Sequence, residues 1–127
     1  MPQLPTIIAK NGFTFSWDEK EVWKLDVPVE TMAVELLEWH FDLPFWNEDS
    51  KPYSLSAREV MENPEHCQAH YKRILAADTN FPIDVAMHPD TGKWLILDGL
   101  HRLAKLHLEG VTHVLVRKIP LEMIPRK

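Results

Sequence analysis

The sequence predicts an α+β fold, a small mixed β-sheet with flanking helices, as one domain over residues 1–127. Three observations predict it. Trp94-Leu95-Ile96-Leu97 is an apolar run without alternation, as a strand buried on both faces requires. After Asp98-Gly99, the residues Leu100, Leu103, Ala104, Leu106 and Leu108 recur near helical spacing until Gly110 stops them. Further β-rich runs lie on both sides of this unit, with capped helical segments between them.

In chain order, Thr6–Ala9, Asn11-Gly12 and Phe13–Trp17 read as an N-terminal hairpin over 6–17, because Asn-Gly favours the positive φ angles of a type I′ turn. Val22, Leu25 and Val27 suggest a third extended segment ending at Pro28. The segment Val29–Phe41 is open to two readings. Val29, Met32, Leu36 and Trp39 fall at helical spacing, whereas Met32-Ala33-Val34 also suits a strand followed by a tight turn.

Leu43–Trp46 and the polar stretch Asn47–Pro52 read as loop, rich in large rings: Trp39, Phe41, Phe45, Trp46 and Tyr53. These rings either fill the core beneath the loop or wall a small-molecule pocket. Ser56 with Glu59 forms a capping box for a helix over Ala57–Glu62, and Pro64-Glu65 opens another that runs to Ala77. Pro82–Met87 reads as a strand, Pro89–Gly92 as a turn and Thr112–Ile119 as the last strand. Leu121–Lys127 reads as a tail or docking segment.

Composition restricts the function classes. A formal charge of −5 provides no general basic field for nucleic acid or anionic membrane. The single cysteine, Cys67, excludes an internal disulfide framework and fits a reducing cytoplasm. No stretch reaches the length of a membrane span, and Met1–Pro5 lacks a signal-peptide pattern.

The chemistry concentrates where the buried strand meets its helix. A helix start has unpaired N–H groups and the positive end of the dipole. Gly99 lets a ligand approach the backbone there, and Arg102 adds a forked cation that fits phosphate. Asp98 offers a carboxylate for a base or for magnesium, and equally a helix cap. His101 offers a donor to a phosphate oxygen, or a structural bond to a neighbouring strand. Arg102 can instead pair with Asp98 as a routine ion pair, and Lys105 is either a phosphate contact or solvated. His66 and His70 have a spacing that can hold zinc, with no third ligand evident; His107 and His113 show no partner pattern.

With Pro82-Ile83 upstream and Gly110 followed by a strand downstream, Asp98-Gly99-Leu100-His101-Arg102 resembles the ParB/sulfiredoxin superfamily of ParB N-terminal-like domains, over a motif core of residues 81–119. The resemblance implies a small α+β fold that holds nucleotide phosphates at the helix start after the glycine. Sulfiredoxins look like Gly-Cys-His-Arg; here Leu100 stands at the cysteine position, which excludes that nucleophile. Partition proteins bind CTP through Gly-Glu-Arg-Arg and add a helix-turn-helix domain; Leu100 and His101 depart from that box, and the chain ends at Lys127.

The free serine kinase branch, Asp-Gly-x-His-Arg, fits at Asp98, Gly99, His101 and Arg102. That resemblance implies ADP or ATP as ligand, Mg2+ at Asp98, and phosphate contacts from Gly99, Leu100, His101 and Arg102; Lys105, outside the motif and one turn further on, is a candidate by position alone. It further implies charge neutralisation by His101 and Arg102, and an upstream carboxylate, Asp42 or Glu38, that activates a small hydroxylated substrate. The competing expectation is a nucleotide-binding module without catalysis, docking a partner protein through residues 39–53. A DNA-associated factor is a third, against which the acidic balance tells.

Overall fold

The structure, a computed structural model, describes residues 5–13, 15, 17–48 and 51–125. It is an α+β fold. A four-stranded mixed sheet has the order β1-β6-β4-β5, from β1 (Val29–Ala33), β4 (Ile83–Met87), β5 (Trp94–Asp98) and β6 (His113–Lys118). β2 (Trp46–Glu48) and β3 (Lys51–Leu55) form a separate two-stranded sheet. The helices are α1 (Thr6–Ala9), α2 (Glu19–Trp23), α3 (Ala57–Glu62), α4 (Gln68–Ala76) and α5 (Leu100–Leu108). Among the described residues no helix is long and apolar enough to cross a membrane.

Apolar alternation decides what the central strands bury. On one face, Ile83, Val85, Ile96, Val114 and Val116 pack with Ala57 and Val60 of α3 and with Leu103 and Ala104 of α5. On the other, Ala86 and Leu97 meet Val22, Ile119 and Ile124, while Leu95 meets Ile8, Phe13 and Leu43. β5 is thus buried from both sides, as its unbroken apolar run requires. The C-terminal stretch docks through Ile124; Arg126 and Lys127 lie outside the described residues.

β4 and β5 pair antiparallel, but the register shifts between Asp84 and Val85: Val85 faces Ile96, whereas Asp84 faces Asp98. Leu97 is therefore an extra residue on β5, a bulge that bends the strand just before the motif. The Trp17 indole N–H donates to the Leu97 carbonyl at 3.0 Å and so satisfies it. β6 lies parallel to β4 and antiparallel to β1.

Several expectations are corrected by packing. The 6–17 hairpin is absent from the described residues; Thr14 and Ser16 lie outside them. Thr6–Ala9 is one helical turn, and Gly12, with φ +111, ends the turn that follows it. A glycine with positive φ serves a helix end as well as a hairpin. Burial of Ile8 beside Leu95 decides between them.

Val22 lies on α2 rather than in a strand. Asp18 caps that helix by accepting from the Lys20 N–H, and Glu19 and Glu21 suit its positive end. For Val29–Phe41 the strand reading holds: β1 ends at Ala33, and two 3-10 segments follow, Val34–Leu36 and Glu38–Asp42. Residues 43–52, read as loop, contribute β2 and the start of β3; Asp49 and Ser50 lie outside the described residues. α3 has the expected bounds and capping box, while α4 starts at Gln68, later than Pro64.

Candidate active site at the start of α5

The bulged end of β5 delivers Asp98, and Gly99 turns the chain directly into α5. Gly99 has φ +116, and a Cβ there would stand 3.1 Å from Ile83 Cγ1 and 3.2 Å from Arg102 Nη1. Both backbone angle and space demand glycine. Gly99 is the N-cap of α5, and the first turn contains no acidic residue. Asp98 is therefore not the cap that its position suggested.

Asp98 is instead engaged from a distance. The Trp23 indole N–H donates to Asp98 Oδ2 at 2.6 Å, and Arg102 Nη2 stands 4.0 Å from the same oxygen. Arg102 is only 18 % exposed and donates through Nη1 to the Pro82 carbonyl at 2.6 Å. One arm of the fork is thus a structural anchor that fixes the guanidinium, leaving further N–H groups for an anion.

A cavity of about 480 Å³ opens at this point, lined by Gly99, Leu100, His101 and Arg102 together with Asp98 and Trp17. It is of the size that small-molecule ligands occupy. Glu19 and Asp78 add two carboxylates to its wall that sequence reasoning did not single out. Asp78 Oδ1 accepts from the Asn80 N–H at 3.0 Å.

His101 behaves differently from expectation. Its ring lies 4.2 Å from the Trp46 ring at 11°, and His70 lies 4.9 Å from the same indole at 3°. The two imidazoles are side by side, with His70 Nδ1 3.4 Å from His101 Nε2. His70 Nε2 is 2.8 Å from the Asn47 carbonyl, so that nitrogen bears the proton. In the neutral ring Nδ1 then accepts, and His101 is the donor through Nε2. Burial, with His70 and Arg73 adding to it, lowers the His101 pKa to about 4. His101 is therefore neutral at pH 7, and Arg102 is the charged member of the two.

The remaining expected residues lie elsewhere. Lys105 donates to the Ala77 carbonyl at 3.0 Å, tying α5 to the end of α4, and does not line the cavity. Glu38 pairs with His107 at 3.6 Å, and His107 lies about 9 Å further along α5 than His101 at the helical rise. Asp42 pairs with Arg58 of α3. Neither Asp42 nor Glu38 lines the cavity at Asp98, so the structure does not bring them together with the motif there.

Comparisons with protein-family models, curated proteins and solved structures return no match.

The rings of residues 39–53 pack inward, and Phe45 also lines the cavity at the motif. Phe41 and Trp46 are buried, and Phe45, Trp39 and Tyr53 pack against core clusters. His40 is a structural pin: its Nδ1 donates to the Leu37 carbonyl at 2.8 Å and its Nε2 accepts from the Ile96 N–H at 2.9 Å. Desolvation lowers its pKa to about 3. His66, Cys67 and His70 line a second cavity, but among the described residues no group of three side chains could hold a metal. Burial pushes the Cys67 thiol up, away from nucleophilic chemistry.

Proposed function

We propose that this chain is a nucleotide phosphate-binding domain of the ParB/sulfiredoxin type, taking an ADP- or ATP-like ligand at Asp98–Arg102. The observation that carries the reading is the pairing of the glycine-opened helix start with a partly buried Arg102 on one cavity wall. Free N–H groups, the helix dipole and a pre-positioned guanidinium are what a phosphate needs. Gly99 and Leu100 offer backbone, Arg102 offers charge, and His101 forms the stacked wall beside them.

Asp98 fits Mg2+ as a single carboxylate, since magnesium is held by one or two carboxylates together with phosphate oxygens and water. The ion would neutralise phosphate charge when bound. The lone cysteine supports a cytoplasmic setting, and the formal charge of −5 argues against specific DNA binding.

Binding without catalysis is the reading that the geometry supports best. Phosphotransfer to a small hydroxylated substrate is kept as the second reading, because Glu19 and Asp78 share the cavity with Asp98.

The test is a thermal-shift panel of ADP, ATP, CTP and GTP with magnesium on wild type and Arg102→Lys. A ligand at a hundredfold its Kd stabilises by about 2.7 kcal/mol, a Tm rise of roughly 10 °C in a small domain. A rise with one nucleotide that shrinks in Arg102→Lys supports the reading, and labelled-phosphate transfer to serine then separates binding from catalysis. No rise with any nucleotide overturns it.

A further inference from the structure

Beyond the phosphate cradle lies a third cavity, of about 640 Å³, that shares Asp98 and Arg102 with it. Two large rings stand on its walls, Trp23 at 54 % exposure and Phe81 at 60 %. Lone exposed rings are ordinary on a protein surface. These two are not independent of the motif: each is associated with one of its residues. The Trp23 indole N–H is bonded to the Asp98 carboxylate at 2.6 Å, and the Arg102 guanidinium lies 6.0 Å from the Phe81 ring centroid.

Trp23 and Phe81 make no ring contact with each other, so their faces are not spent on a mutual stack. One pair of their charged neighbours is already matched. Asp84, which is 3 % exposed, is bonded to Arg117 at 2.7 and 3.0 Å. The cavity therefore offers aromatic faces beside three carboxylates, Asp78, Asp84 and Asp98, and two guanidiniums, Arg102 and Arg117. It is contiguous with the phosphate cradle because Asp98 and Arg102 belong to both. By contrast, the second cavity has its rings Trp46, His70 and His101 already stacked on one another.

The geometry points to a base-stacking slot: Trp23 and Phe81 form the seat for the flat heteroaromatic base of a nucleotide whose phosphates lie at Gly99–Arg102. This rests on the phosphate-binding reading and adds to it where the base goes. Stacking on an aromatic ring tolerates every base, and the larger face of a purine gains most from it. Asp98 then has a positioning role as well, since its carboxylate holds the Trp23 ring at the edge of the phosphate cradle.

Both rings are more than half exposed, so their replacement leaves the core intact. The experiment is calorimetric titration of the full chain, at constant magnesium, with inorganic pyrophosphate, ADP, CDP and adenosine. It is made on wild type, Phe81→Leu and Phe81→Tyr, each first shown folded by its thermal melt. ADP binding about tenfold tighter than pyrophosphate is expected, and tighter than CDP. Phe81→Leu lowers ADP affinity by about tenfold and leaves pyrophosphate unchanged, and Phe81→Tyr restores it.

Equal affinity for pyrophosphate and ADP, or an ADP-to-pyrophosphate ratio that Phe81→Leu leaves unaltered, overturns the slot while the phosphate site stands. Adenosine binding that Phe81→Leu weakens, without pyrophosphate binding, supports the slot and overturns the phosphate reading. No binding of any of the four overturns both.

Discussion

Trp23 and Asp98 are 75 positions apart in the chain, yet the indole N–H of one donates to the carboxylate of the other across 2.6 Å. This bond joins the short helix α2 to the bulged end of β5 and fixes one oxygen of the motif carboxylate. Replacing Asp98 by alanine frees the indole. Loss of one such bond at an accessible position costs about 1 kcal/mol. The Trp23 indole resonance in a proton–nitrogen NMR spectrum is expected to move upfield in Asp98→Ala. Substitution by asparagine, which retains an acceptor, leaves it near its original place.

Gly99→Ala is expected to be destabilising wherever it is measured. Its φ of +116 is strained for alanine, and the new methyl group would crowd Ile83 and Arg102 at 3.1 and 3.2 Å. A cost of about 2 kcal/mol follows from a non-glycine residue held in that region. The urea midpoint reads this loss, and an unchanged midpoint would contradict the positive angle.

His40→Phe keeps a ring of similar size but removes the partners of the Ile96 N–H and the Leu37 carbonyl. Leaving a buried backbone donor unsatisfied costs about 1–3 kcal/mol. Hydrogen exchange at the Ile96 amide is expected to accelerate more than at the Val85 amide, which does not depend on the histidine.

The buried Asp84–Arg117 pair should behave asymmetrically. Arg117 also donates to the Leu25 and Val22 carbonyls at 2.7 and 3.1 Å, so it ties α2 and the chain after it to the sheet. Arg117→Met strands a carboxylate that is 3 % exposed and is expected to cost about 3–5 kcal/mol. The double substitution with Asp84→Leu should recover part of that loss, because no unpaired charge then remains. Denaturation of the two single variants and the double variant reads the coupling.

Acid stability follows from the two neutral histidines. Folding lowers the pKa of His40 to about 3 and that of His101 to about 4, below the ordinary value of 6.5. Well above pH 6.5, from about pH 7.5, neither ring is charged in either state, and stability is independent of both. As pH falls below 6.5 the unfolded chain takes up protons that the folded chain does not, so stability declines. Each histidine contributes up to about 1.4 kcal/mol per pH unit until its folded pKa is reached. Urea titrations at pH 7.5 and 5 should show this decline, and His101→Asn should lessen it.

Periodicity and local chemistry sufficed for much of the chain. Trp94–Leu97 as a doubly buried strand, the helix from Leu100, the Ser56–Glu59 capping box and the strands after Pro82 and Thr112 were all legible, because each depends on neighbours within a few residues. Asp18, followed by Glu19-Lys20-Glu21, carried a helix-start signal that the apolar spacing of Val22, Leu25 and Val27 obscured. Asn11-Gly12 announced a positive φ angle without saying whether a hairpin or a helix end would use it. Burial of Ile8 against Leu95 made that choice.

The candidate site divides in the same way. The turn, its glycine and the forked cation of Arg102 were readable from five consecutive residues, since a strand–turn–helix unit is local. The neutral state of His101, the anchoring of Lys105 on Ala77, the outward placement of Asp42 and Glu38, and the Trp23 wall all depend on contacts between distant segments. Register within a strand follows from alternation. Which carboxylate faces which cavity depends on how the layers pack, and residue spacing holds no record of that.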